Sequence, residues 1–203
     1  MYMALTLLLG YLLGSISTGV VLSRLFGHTD IRSQGSGNSG TTNMLRVMGK
    51  KFALLTLAGD MLKGILAVLI GKALVGGVSG EILGAFGAIL GHNFPVFFGF
   101  KGGKGIATSF GCLLVVFPWQ TLSAFGVFLL VVALTRYVSA GSIAAAVTLP
   151  LFVMLTTPAD AVVWGSIAAI GLLAICRHHQ NIVRLIHHTE SKVSFGSKKK
   201  GKD

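Results

Sequence analysis

The chain has 203 residues, 53% of them hydrophobic and only 11% charged, with a formal net charge of +11 from 17 Lys+Arg against 6 Asp+Glu. A soluble domain carries roughly a quarter charged residues, so a soluble globular protein is excluded, and the lack of short alternating segments excludes an outer-membrane barrel. The basic residues interrupt apolar runs rather than lining a soluble face, which argues against nucleic acid and leaves membrane orientation, an anionic substrate or anionic headgroups.

The start, Met1-Tyr2-Met3-Ala4-Leu5, lacks the cationic region of a signal peptide, so the first apolar run reads as a retained span. Span 1 runs from about Ala4 to Leu25, with Gly10, Gly14 and Gly19 suited to close helix packing. Next comes the longest polar stretch of the chain, Gly35-Ser36-Gly37-Asn38-Ser39-Gly40-Thr41-Thr42-Asn43-Met44-Leu45-Arg46. By composition it is a flexible linker or an anion-binding nest with Arg46 as a phosphate fork. Span 2, about Phe52 to Leu74, carries Asp60 and Lys63 three residues apart on one face, where mutual pairing is the simplest reading. Gly76 to Gly80 reads as a turn, and span 3 runs from about Glu81 to the break at Pro95. A second glycine-lysine loop follows, Lys101-Gly102-Gly103-Lys104-Gly105.

Span 4, about Ile106 to Phe117, is short for a crossing, so a five-span chain with part of 78–118 re-entrant is the alternative. Span 5 runs from about Trp119 to Leu134. A small polar island at Arg136–Ser142 precedes span 6, about Ile143 to Leu155. Span 7 starts near Ala159 or Asp160 as its cap and ends near Cys176. A polar amphipathic helix continues from Arg177 to His188, and residues 191–203 read as a basic, disordered cytoplasmic tail behind a single membrane domain, 1–190. Cys112 and Cys176 have no CxxC spacing and read as small buried hydrophobes.

The expected fold is therefore an all-α, polytopic membrane helix bundle of seven spans. Seven spans bring the ends of spans 1, 3, 5 and 7 to one side, and those ends carry the four polar islands. All of the 17 Lys and Arg fall on that side except Lys63 and Lys72. The positive-inside rule makes it cytoplasmic, with the N-terminus outside and the C-terminus inside.

The islands carry Arg46, Lys104, Arg136, Arg177 and Arg184, and Asp30 is their one carboxylate in this reading. Cations, hydroxyls and glycines suit phosphate groups. The GxxxxGK[ST] spacing is missing and no carboxylate cluster can hold Mg²⁺, which disfavours nucleotide hydrolysis. Adjacent histidine pairs face different sides of a helix, so no metal or other cofactor is expected. His178 shares a helical face with Asn181.

Three motifs then carry a resemblance: Gly35-Ser36-Gly37-Asn38-x-Gly40-x-Thr42-Asn43; Gly91-His92-x-Phe94-Pro95-Val96-Phe97 with Phe100-Lys101-Gly102-Gly103-Lys104-Gly105; and Arg177-His178-x-x-Asn181-Ile182-x-Arg184-Leu185. In order and spacing, from Gly14 through Glu190, the chain resembles the bacterial acyl-phosphate:glycerol-3-phosphate acyltransferase family. Thr41 stands where that family usually has alanine. The resemblance implies a bacterial cytoplasmic (inner) membrane enzyme of phospholipid biosynthesis. It would move a fatty acyl group from acyl phosphate to the 1-hydroxyl of sn-glycerol 3-phosphate, giving lysophosphatidate and phosphate. It also implies the lipid bilayer and the soluble enzyme that supplies acyl phosphate as partners.

On this resemblance Ser142, His178 and Asn181 are the catalytic candidates. Ser36, Asn38, Gly40, Thr42, Asn43, Arg46, His92 and Lys104 are the substrate-binding ones. Ser36, Arg46 and Lys104 would hold the glycerol phosphate. Ser142 and His178, with the loop at Asn38 and Gly40, would hold the donor phosphate, and Asn181 would orient the acyl carbonyl. With no evident carboxylate base, the hydroxyl proton is expected to pass to the donor's own phosphate, with His178 or His92 as the rival base. A transporter of anionic lipids would need polar residues through the membrane and internal repeats, neither of which is evident; four converging cationic islands are excessive for a mere scaffold.

Overall fold

The computed structural model describes residues 1–193; residues 194–203, most of the expected tail, lie outside the described residues. All regular structure among the described residues is helical: α1 (Tyr2–Gly14), α2 (Thr18–Gly27), α3 (Thr41–Val47), α4 (Lys50–Val75), α5 (Gly77–Asn93), α6 (Ile106–Val116), α7 (Pro118–Thr135), α8 (Val138–Thr156), α9 (Ala161–Arg177) and α10 (His179–Ile186), with short 3-10 turns at Ile31–Ser33 and Val96–Phe98.

Among the described residues, five segments are long and apolar enough to cross a membrane: Tyr2–Gly27, Lys50–Val75, Gly77–Phe98, Pro118–Thr135 and Val138–Thr156. A sixth is reached if α9 and α10, bent by 53° against each other, count as one. Ile106–Val116 is apolar but only 11 residues long. By length, then, five or six crossings stand where seven spans were expected.

α5 is the centre of the bundle, with 12 of its 17 residues buried. Glycine makes this burial feasible. On one side α5 meets α1, where a Cβ added at Gly87 would sit 2.6 Å from Leu7 O and one at Gly91 would sit 2.7 Å from Ser15 N. On the other it meets α4, where a Cβ at Gly80 would sit 2.5 Å from Gly71 O. Apolar lipid gives helices no hydrophobic reason to associate, so close backbone approach through small residues supplies the packing. This contact also explains why Gly77–Gly80 is helix and not the expected turn: Gly80 is spent on packing against Gly71. Gly91→Ala should therefore lower stability by about 1–3 kcal/mol, read as a lower thermal midpoint in detergent. Gly126→Ala, where an added Cβ meets nothing within 4 Å, should not.

Three further boundaries differ from the sequence reading. Thr41–Val47 is a helix inside the expected loop, and α8 starts at Val138, so Ser139 and Ser142 lie on its first turns. The tail's first residues are docked: Val193 N–H donates to Arg136 O (2.8 Å), and Arg136 Nε returns a bond to Val193 O (3.3 Å). Cys112 is buried as expected, whereas Cys176 is exposed on the outer face of α9. Asp160 does cap α9, accepting from Val163 N–H at 2.9 Å.

Candidate active site

A cavity of about 830 Å³ opens at the bundle end shared by α2, α3, the α5–α6 loop, the α7–α8 corner and the α9–α10 bend. All eleven residues singled out in the sequence line it: Ser36, Asn38, Gly40, Thr42, Asn43, Arg46, His92, Lys104, Ser142, His178 and Asn181. A smaller pocket of about 180 Å³ shares its wall through Ser36, Asn38, Lys104, Asn181 and Arg184, and adds Arg177 and Gly102. Toward the bundle interior the large cavity turns apolar, along Met61, Phe110, Leu113, Ala124, Phe128 and Leu149.

The first loop is organised by Asn43, not left flexible. Its Nδ2 donates to Ile31 O (3.2 Å), Gln34 O (3.0 Å) and Asn38 O (2.9 Å), while its Oδ1 accepts from Ser36 N–H (2.9 Å). Asn38 Oδ1 accepts from Gly40 N–H at 2.9 Å. Gly35 has φ +59°, and a Cβ there would strike the Asn43 amide. Asn43 thus has its hydrogen-bonding capacity taken up by backbone, which presents Ser36, Thr42 and Arg46 to the cavity.

The second loop is held by two arginines. Arg32 Nη1 donates to Phe98 O (2.7 Å) and Lys101 O (2.9 Å), bracketing Phe100, a bulky residue at φ +59°. Arg32 is itself fixed by a two-pronged pair with Asp30, at 2.9 and 2.7 Å, whose hydrogen bonds hold the Asp30 carboxyl well below the usual range. Arg177 donates from Nε to Gly103 O (3.1 Å) and from Nη2 to Gly102 O (3.2 Å), with its guanidinium over the Phe94 ring. Lysine has no planar fork, so Arg177→Lys should loosen this loop and raise amide hydrogen exchange at residues 101–105 by about 10- to 100-fold, while circular dichroism shows an unchanged helix content.

Between the loops Lys104 Nζ donates to Asn181 Oδ1. Asn181 Nδ2 in turn donates to Glu190 Oε1 (2.8 Å), which also accepts from Ser139 Oγ (2.9 Å), and Glu190 Oε2 accepts from Arg184 Nε (2.6 Å). Glu190 corrects the sequence reading, which counted Asp30 as the only carboxylate of the islands. Burial raises its carboxyl, but the donors Arg184, Asn181 and Ser139 outweigh that and hold it below the usual range, so it is a fixed anion. No spacing rule could have found it: Ser139 lies 51 residues away, and Glu190 sits beyond the last motif.

Below the loops lies a buried polar cluster. Asp60 and Lys63 pair at 2.9 Å, as expected from their spacing. Thr18 Oγ1 donates to Asp60 Oδ1 (3.1 Å), and Lys63 Nζ donates to Ile16 O (2.8 Å) in the α1–α2 break. Lys63 Nζ also lies 3.1 Å from His92 Nδ1, with Thr108 Oγ1 at 3.2 Å. An ammonium can only donate, so His92 Nδ1 accepts and its ring proton sits on Nε2. His178 has the opposite tautomer: Nδ1–H donates to Ala174 O at 2.7 Å, which leaves Nε2 as an acceptor. Ser142 Oγ donates back to Val138 O (2.9 Å) and keeps its lone pairs for other partners.

These features agree with relatives of known class. The sequence profile described as glycerol-3-phosphate acyltransferase matches residues 4–188. A glycerol-3-phosphate acyltransferase of Syntrophotalea carbinolica is 50% identical over 193 residues, covering 92% of this chain and 95% of that one. One from Clostridioides difficile is 44% identical, covering 93% of each. The crystal structure of PlsY (YgiH), an integral membrane glycerol 3-phosphate acyltransferase, in its glycerol 3-phosphate form superposes with a TM-score of 0.88 at 39% identity, covering 95% of this chain and 96% of that one. Its lysophosphatidic acid form gives 0.85 at 37%. With an integral membrane bundle, a cation-lined pocket at one end and this degree of identity across nearly its whole length, the chain belongs to the glycerol-3-phosphate acyltransferase family.

Proposed function

We propose that the enzyme transfers a fatty acyl group from acyl phosphate to the 1-hydroxyl of sn-glycerol 3-phosphate, releasing lysophosphatidate and inorganic phosphate. The observation that carries this reading is the shared wall: a small pocket bordered by Lys104, Arg177 and Arg184 abuts a large cavity that is polar at the mouth and apolar in depth. Two phosphate-bearing substrates, one with a long tail, fit that division. The related PlsY structures were solved with glycerol 3-phosphate and with lysophosphatidic acid.

An acyl phosphate is a mixed anhydride with phosphate as leaving group, so orientation and electrostatics supply most of the acceleration. Ser36, Lys104 and Arg46 hold the glycerol phosphate. Ser142, whose O–H turns from Val138 O to the ligand, and the Asn38–Gly40 turn hold the donor phosphate, and Asn181, fixed between Lys104 and Glu190, orients the acyl carbonyl. The acceptor hydroxyl bonds to His178 Nε2, which takes its proton as the C–O bond forms and the acyl–phosphate bond breaks. The proton then leaves with the phosphate. The tautomers favour His178 over His92 in this role, because only His178 keeps an unprotonated nitrogen free of other partners. Glu190 is held by three donors as a fixed anion and is not the base.

The chain crosses the membrane seven times in this reading, with Ile106–Val116 as a short fourth crossing, the N-terminus outside and the site at the cytoplasmic face of a bacterial inner membrane. The concentration of Lys and Arg at the site end supports that orientation, and an acyl phosphate made by a soluble enzyme would enter from that side. The test is purified protein with labelled glycerol 3-phosphate and lauroyl phosphate or lauroyl-CoA. Labelled lysophosphatidate from the phosphate donor alone is expected. Product from the CoA donor alone would overturn the donor assignment, and no product from either would overturn acyl transfer.

A further inference from the structure

We propose that Thr121 is the residue that limits how long an acyl chain the enzyme accepts. The proposal rests on the acyl-transfer reading and adds to it the residue that ends the tail's path. From the mouth at Ser139 the cavity follows α8 down to Pro150, a depth of about 16 Å at 1.5 Å per residue. An all-trans hydrocarbon with bonds near 1.5 Å advances roughly 1.25 Å per carbon, so this depth takes roughly 13 carbons.

On α7 the lining residues are Phe128, Phe125, Ala124 and Thr121, one helical face read from the site end inward. Thr121 is the last of them, in the first turns of α7 at the end of the bundle away from the site. The lining stops there: neither the buried Phe117, which is 4% exposed, nor Pro118 at the start of the helix belongs to it.

The position puts a hydroxyl at the apolar end of the cavity. Thr121 is 2% exposed, and its Oγ1 has no hydrogen-bond partner among the described residues. Its backbone N–H is taken by Phe117 O at 2.9 Å, and the side chains around the floor, Leu113, Ala124, Leu149 and Pro150, are apolar. A buried hydroxyl without a partner is a cost that packing alone does not require. A compact branched side chain here leaves free depth that leucine or phenylalanine would fill, so side-chain volume at position 121 converts directly into chain length. Discrimination by a single methylene in an apolar pocket runs to about 10-fold or more.

The test is a competition assay with acyl phosphates of graded length and labelled glycerol 3-phosphate, comparing wild type with Thr121→Leu and Thr121→Phe. The ratio of short-chain to long-chain product should rise at least about 10-fold in the phenylalanine variant, with leucine between. An unchanged ratio in an active variant overturns the proposal while leaving acyl transfer intact; inactivity of the wild type toward every acyl phosphate overturns the functional reading and this inference with it. A measurement on the unaltered protein guards against a variant that does not fold. A donor carrying a diazirine at the chain end should photolabel the 118–125 segment. Labelling confined to other segments overturns the proposal.

Discussion

Lys104→Met is expected to lower kcat/KM for glycerol 3-phosphate by at least 10²- to 10³-fold, the loss typical of a donor aimed at developing or bound charge. Lys104 stands on the wall between the two pockets and, among the described residues, is the one ammonium that borders both. Its partner Asn181 is held in turn by Glu190, so removing the ammonium also frees the amide that the proposed mechanism uses.

The pH dependence follows from the same position. Burial pushes the Lys104 ammonium down to about 8; Glu190 opposes the shift, while Arg184 and Arg177 add to it. The charged form is needed to hold phosphate, so KM should rise about tenfold per unit once pH passes about 8. Lys104→Arg should move that limb out of the accessible range. Stability should go the other way. The unfolded chain keeps this proton up to the ordinary value of 10.5, so between about 8 and 10.5 it binds more protons than the folded one, and stability is gained as pH rises across that window. Steady-state kinetics and thermal midpoints over pH 7–10 check both signs, and a KM flat across pH 8 would remove Lys104 from direct phosphate binding.

His178→Ala is expected to cost about 10²- to 10⁴-fold in kcat, the range for a general base, with a much smaller change in KM. Its Nδ1–H is committed to Ala174 O, and the 53° bend between α9 and α10 turns the ring into the cavity instead of along the bundle surface. His92→Ala should instead raise KM and leave kcat nearly intact. That ring is packed against Gly103, where an added Cβ would collide with Nε2, and it connects the Lys63–Asp60 pair to the second loop. If the two variants exchange these signatures, the tautomer assignment is wrong and the proton goes to His92.

Much of the site was legible because its chemistry is local. Gly35 through Arg46, Lys101 through Gly105 and Arg177 through Arg184 each put their polar groups within a few residues, and alternation of apolar spans brings such islands to one end. The roles within the islands were not legible. Asn43 resembles a ligand donor in sequence, yet its amide is used to shape the loop that carries Ser36. Arg177 resembles a phosphate ligand, yet it holds backbone carbonyls of the second loop, as Arg32 also does. Phe100 at positive φ depends on Arg32, and the bond from Ser139 to Glu190 crosses 51 residues, separations that no periodicity reports.

Composition and hydropathy by themselves determined that this is an all-helical membrane protein, because backbone polar groups in lipid must be satisfied within each segment. Motif order by itself determined the family. Only the tertiary structure decided that eleven dispersed residues line one cavity, that glycine contacts let α5 fill the centre, and that His92 and His178 carry their protons on opposite nitrogens. Those outcomes depend on distances between α1, α4, α5 and α9, and such distances are set by packing across the bundle, not by spacing along the chain.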